Sequence, residues 1–261
     1  MDLPPQLARE PPLKLTHAAA GIFPVIFLVT WPLWYICSEY KSYITKNVVL
    51  AFLNYFFIQQ YGYLLFTIAY LSQGVFYVDG QTQQKDKIYS LMFKYGVITL
   101  LGMVFHGGFL SFSLVEMVNK ATGGYCEGGT TKTTMSQCSA NPDLQWIDGF
   151  DISSHYYFLS SSVILLLNNL LNNATESADI EAQVEEEPKS GLILKARKVV
   201  TYLTSLLISI WMFEFVITSL FFHTPFERFM GLVGCPAALF TISFSDRLFS
   251  QRTDYEDPYT P

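Results

Sequence analysis

Long apolar runs separated by polar loops set the pattern of this chain. A helix that crosses a bilayer needs about 20 mostly apolar residues, and windows of that length predict six spans: 18–37, 48–71, 92–115, 153–171, 199–222 and 229–244. The second run contains Gln59 and Gln60, and the fourth opens with a cluster of serines. The expected fold is all-α, a polytopic membrane protein forming one six-helix domain. Polar connections are expected at 116–149 and 172–198. Composition agrees, with 51% apolar, 16% aromatic and 15% charged residues, the charges gathered between the apolar runs. The first sixteen residues are Pro-rich and the following run has full length and no small-residue cleavage site, so the first helix is expected to remain as a signal anchor.

Lys and Arg count eleven in one set of alternate loops and termini, and five in the other: Lys41, Lys46, Lys120, Lys132 and Arg228. The positive-inside rule then puts both termini in the cytoplasm. Whatever the orientation, the start of the fourth span and the end of the fifth lie on one side of the membrane, because the chain crosses twice between them. That side, expected to be lumenal or extracellular, also receives the 116–149 loop with Cys126 and Cys138. In an oxidising compartment these could pair as a disulfide, the alternative being two free thiols. Gly123, Gly124, Gly128 and Gly129 permit mobility in this loop without requiring it. The sequon Asn173-Ala174-Thr175 falls on the cytoplasmic side and is expected to carry no glycan. The 172–198 loop, with acidic residues followed by a basic patch at 195–198, reads as a solvated linker.

Two histidines occupy the shared side. His155 follows Asp151, Ser153 and Ser154, natural capping residues that place it in the first turn of the fourth helix. His223 precedes Thr224-Pro225-Phe226-Glu227, a capping box with Pro at the first helical position. Helix N-termini offer free N–H groups and a positive dipole end, which suit an anion. Imidazoles titrate near neutrality, so two at one aqueous pocket could serve as nucleophile and general acid in phosphoryl transfer. Glu227 could orient the His223 ring or close the capping box. Glu214, nine residues before His223, could face the same cavity. Glu116, His106 and Glu214 are the candidate ionisable residues for a transport path, which such groups within spans often mark. No repeated broken-helix pattern accompanies them, and His106 beside Gly107 and Gly108 reads better as a packing residue. The chain carries no P-loop, dinucleotide fingerprint, heptad array or internal repeat, and no nucleic-acid partner is expected.

The segment Gly149-Phe150-Asp151-Ile152-Ser153-Ser154-His155 resembles the Asp-Ile-Ser-Gly-His segment of the fat storage-inducing transmembrane (FIT) proteins of the endoplasmic reticulum, fungal members included. Phe222-His223-Thr224 with Glu227 resembles their second histidine segment. That family is similar in turn to the lipid phosphate phosphatases, whose His-x-x-x-Asp spacing returns here as His223 and Glu227. Ser154 stands where the family has Gly, bringing a Cβ and a hydroxyl to a place where a backbone could approach phosphate. The Lys-x6-Arg-Pro motif of the wider phosphatases has no counterpart, which leaves Arg228, Lys120 and Lys132 as candidates for neutralising phosphate charge. The resemblance implies a fatty acyl-CoA diphosphatase of the endoplasmic reticulum membrane with its site facing the lumen, yielding acyl 4'-phosphopantetheine and adenosine 3',5'-bisphosphate. It implies His223 as nucleophile and His155 as acid, and a role in lipid-droplet formation, phospholipid synthesis and membrane homeostasis. No metal or cofactor is expected. The competing expectation is a non-enzymatic protein that binds diacylglycerol or triacylglycerol and assists lipid-droplet budding; the load of 22 Phe and 16 Tyr is its sequence support. Transport is a third.

Overall fold

A computed structural model describes residues 12–77, 84–106, 113–130, 133–181 and 190–250. The chain enters through α1 (Pro12–Ala20) and α2 (Ile22–Cys37), then a 3-10 turn (Ser38–Tyr40) and α3 (Lys41–Lys46). Next come α4 (Val48–Asn54), a π-helical turn (Tyr55–Gln60), α5 (Gly62–Tyr77) and α6 (Gln84–His106). A small polar module follows, made of α7 (Leu114–Ala121), β1 (Tyr125–Glu127), α8 (Met135–Ala140) and β2 (Gln145–Ile147). The long helices α9 (Ser154–Glu181) and α10 (Ser190–Phe221), the short α11 (Pro225–Gly231) and α12 (Gly234–Ser250) complete it.

Among the described residues four stretches are helical, long and apolar enough to cross a bilayer: Leu13–Lys46, Lys85–His106, Lys195–Phe221 and Pro225–Phe249. A fifth is added if Val48–Gln60 and Gly62–Val75, bent by 66°, count as one broken span. Exposed side chains such as Val25, Leu28, Leu203 and Phe240 form the apolar outer surface that lipid requires.

Three expected spans differ in the structure. The second breaks at Tyr61, next to the two glutamines, between the π-helical turn and α5. A Cβ on Gly62 would lie 2.9 Å from the Phe57 carbonyl oxygen and 3.1 Å from the Phe158 ring, so only glycine lets the bend pack this closely against α9. The third starts earlier than expected and its helix ends at His106; Ser113 caps the separate α7 by accepting from Glu116 N. The fourth, α9, has the length but is not among the four apolar stretches. Its serines and asparagines lower its hydropathy, and they are tolerated because the helix meets protein instead of lipid. It packs against α1, α5, α6, α10, α11 and α12. Leu159, Val163, Ile164, Leu165 and Leu166 lie at its buried centre, and Ser160 and Ser161 return their hydroxyls to the carbonyls of Tyr156 and Tyr157.

The described residues of the 116–149 segment form a folded module. β1 and β2 pair antiparallel, and a disulfide joins Cys126 to Cys138. Asn119 Oδ1 accepts from Trp146 Nε1 at 2.8 Å, while Thr122 Oγ1 accepts from Phe150 N at 2.7 Å. These bonds fix the chain just before Asp151 and therefore position the start of α9.

Candidate functional site

The N-terminal end of α9 carries the site. Ser153, completely buried, is its N-cap, with Oγ accepting from Tyr156 N at 3.4 Å, and its own N–H donates to the Glu227 carbonyl at 3.1 Å. This ties α9 to α11. A Cβ at Gly231 would collide with the Ser153 carbonyl oxygen, so a glycine is required where the two helices touch. Asp151, the other capping candidate, turns instead toward His223, its Oδ2 3.6 Å from Nδ1.

His223 has a left-handed backbone (φ 53°), which turns the chain between α10 and α11. Thr224 and Glu227 close the capping box. Glu227 closes the capping box and stands near the His223 ring without a hydrogen bond to it. Its Oε2 accepts from Thr224 N at 2.7 Å and lies 3.9 Å from His223 Nδ1, while Oε1 accepts from Asp151 N at 3.0 Å. Two carboxylates thus face one edge of the His223 ring, leaving Nε2 as the nitrogen available for chemistry.

His155 Nε2 lies 3.1 Å from Asn54 Oδ1, at the last residue of α4 before the π-helical turn. Both histidines and Glu214 line a cavity of about 380 Å³, walled further by Asn54, Gln59, Thr218 and Phe222. The two rings are within electrostatic range of each other. Glu214 is 2% exposed and its Oε1 has no hydrogen-bond partner.

Burial pushes the His223 imidazole below its ordinary 6.5, opposed by the carboxylates of Asp151 and Glu227 and assisted by Lys41. Asp151 is pushed upward by burial and by Glu227, while His223 and Lys41 pull it down. His223 is therefore neutral at pH 7, the state a nucleophile needs.

The expected phosphate-binding cations lie elsewhere. Arg228 is fully buried, its guanidinium donating to the Ser219 carbonyl and to Thr30 Oγ1 at 3.3 Å over the Phe27 ring, and it does not line the cavity. Its position after the capping box turns it into the helix interior, where it ties α11 to α2 and α10. Lys120 pairs with Glu116 at 3.1 Å and lies over Trp146 in the disulfide module. Glu116 also accepts from Met135 N, so it organises that module. Lys132 falls outside the described residues. The cation that does act on the site is Lys41 of α3, exposed, 5.5 Å from the Phe222 ring centroid and electrostatically coupled to both His223 and Asp151. Asn54 is the other residue that motif reasoning missed. Its signal was present, since Asn54, Gln59 and Gln60 put three amides in one apolar run.

On the far side of His155 lies a larger cavity of about 520 Å³, lined by Ser154, Phe66, Ile98, Met103, His106 and Tyr157 among others. His155 and Gln59 line both cavities. The hydroxyl that Ser154 places at the family's glycine position thus borders the larger one. Among the described residues no group of three or more His, Cys, Asp or Glu could hold a metal ion.

A sequence model described as fat storage-inducing transmembrane protein matches residues 40–243. This stretch includes both histidines, Asn54 and Lys41. No curated protein and no solved structure matches the chain.

Proposed function

Because the chain belongs to the fat storage-inducing transmembrane (FIT) protein family, we propose that it is a fatty acyl-CoA diphosphatase whose two histidines act in one cavity. Membership fits a role in fat storage and lipid droplets. The observation that carries the reading is that His155 and His223, 68 positions apart, line the same cavity. A carboxylate pair stands behind one ring and an amide holds the other.

In this reaction His223 Nε2 attacks one phosphorus of the diphosphate. An N–P bond forms and the bond from that phosphorus to the bridging oxygen breaks. His155 gives a proton to the departing phosphate oxygen. Water then attacks the phosphohistidine, transferring its proton to the now neutral His155, and the N–P bond breaks. Each turnover consumes one water and yields acyl 4'-phosphopantetheine and adenosine 3',5'-bisphosphate. Asp151 and Glu227 stabilise the positive charge that develops on His223, and Lys41 offers a cation against Phe222, next to His223 in sequence.

The topology proposed with this function has six spans. The broken α4–α5 pair is one, and α9 is the span enclosed by the others. Both termini face the cytoplasm and the histidines face the lumen of the endoplasmic reticulum. Fatty acyl-CoA and neutral lipids are the proposed partners.

The test is hydrolysis of oleoyl-CoA by the purified protein in detergent, with both products identified by mass. Formation of the two phosphorylated products supports the reading, and an intact substrate contradicts it. Rescue of lipid-droplet morphology in cells by a protein lacking both histidines would favour the non-enzymatic lipid-binding alternative.

A further inference from the structure

We propose that the 520 Å³ cavity is a binding site for the pantetheine arm of the substrate, with His106 and Tyr157 as its hydrogen-bonding residues. The inference rests on the diphosphatase reading and assigns the part of the substrate between the diphosphate and the hydrocarbon.

Two independent observations carry it. The first is continuity: His155 and Gln59 border both cavities, so a ligand with its diphosphate between the histidines has a direct way past His155 into the larger space. The volume lies within the ~300–1,000 Å³ typical of pockets for small organic ligands. The second is unpaired polarity. Both ring nitrogens of His106 and the phenolic oxygen of Tyr157 are buried without a hydrogen-bond partner. Tyr157 is only 4% exposed. The two rings meet edge to face with centroids 5.1 Å apart, and both residues line the cavity together with apolar residues such as Phe66, Ile98 and Met103 and polar ones such as Gln60 and Thr99.

Buried polar atoms are nearly always paired, and those left unpaired in a cavity wall call for a ligand that pairs them. A hydrocarbon cannot. A neutral imidazole offers one donor and one acceptor, and a phenol offers a donor. These match an amide, whose carbonyl accepts and whose N–H donates. The pantetheine arm places two amides between the diphosphate and the thioester, with the acyl chain beyond.

The test uses S-palmitoyl-pantetheine, which carries the amides and no phosphate, titrated calorimetrically into the purified protein in detergent. The control ligand is S-methyl thiopalmitate, which shares chain and thioester but lacks the amides. His106→Phe and Tyr157→Phe are each expected to weaken S-palmitoyl-pantetheine binding about tenfold and to leave the control unchanged. Tyr157→Phe removes a single oxygen and keeps the test valid if His106→Phe does not fold. Equal affinity of wild type and Tyr157→Phe for S-palmitoyl-pantetheine overturns the site. Selective binding by a protein that leaves oleoyl-CoA intact upholds the site and removes the diphosphatase reading instead.

Discussion

The two ends of α9 bury polar groups in opposite ways. Toward its C-terminal half, Lys94 lies 2.7 Å from Asp246 and 3.5 Å from Asn168, whose amide donates to Thr16 at 3.2 Å. The charge there is answered by protein, although the amide of Gln73 and Asn169 Nδ2 stay unpaired. At the N-terminal end His106, Tyr157 and Glu214 keep polar atoms without partners, and all three line cavities that His155 also borders. Residues at both ends are buried, so burial does not distinguish them. The place of the unpaired groups does: at one end the charge is held by the Lys94–Asp246 ion pair between α6 and α12, whereas at the other the unpaired groups belong to residues that line cavities, where a ligand can complete them.

Substitutions at each end can break this contrast. The largest expected effect is at the histidines, where His223→Ala and His155→Ala should each lower oleoyl-CoA hydrolysis by about 10³-fold or more, roughly 4 kcal/mol of barrier. Purified folded variants turning over like wild type would dissolve the contrast. Lys94→Met at the paired end should do the reverse. It leaves Asp246 without its ion pair and should lower stability in detergent by about 2 kcal/mol, discounted because Asp246 is partly exposed. Specific activity of the folded fraction should stay within about twofold, read by thermal unfolding alongside turnover.

Asp151→Asn should reduce kcat about tenfold, because one of two carboxylates facing His223 is lost. The sign of its pH effect follows from the charges. Asp151 raises the His223 pKa, which burial already holds below 6.5, so removing it lowers that pKa further. The acid limb of the pH–rate profile, lying below pH 6.5 in wild type, should therefore move to lower pH. A shift to higher pH would contradict the arrangement. The smallest effect is expected for Glu214→Gln. A diphosphate in this cavity meets the Glu214 carboxyl, and an uncharged amide of equal shape should keep kcat/KM within about threefold. A loss of a hundredfold would make the ionised carboxylate part of the chemistry.

Much of this was legible along the chain, for reasons visible in particular residues. The outer helices announced themselves because lipid demands continuous apolar surface, and the Thr224-Pro225-Phe226-Glu227 box marked the start of α11 because capping is local. The position of α9 was not legible as such. Its Ser160, Ser161, Asn168 and Asn169 look like a weak span until the surrounding helices are in place. The bend at Tyr61 similarly depends on Phe158, 97 positions away. The histidines could be found from their capping contexts and from parity. Lys41 could not, since it reaches the site from a distant helix and belongs to no motif, and Asn54 showed only as one of three amides in an apolar run. Arg228 is the reverse case: its sequence neighbourhood favours the site, while the structure buries it against α2 and α10, away from the cavity lining.

The central claim is that His223 takes the phosphoryl group while His155 handles the proton. Peptide mass spectrometry on the enzyme, acid-sparingly quenched during turnover of oleoyl-CoA, tests it most directly. The account predicts a phosphoryl adduct on the peptide containing His223, absent from His223→Ala. An adduct on another residue, or turnover retained by His223→Ala, would contradict it.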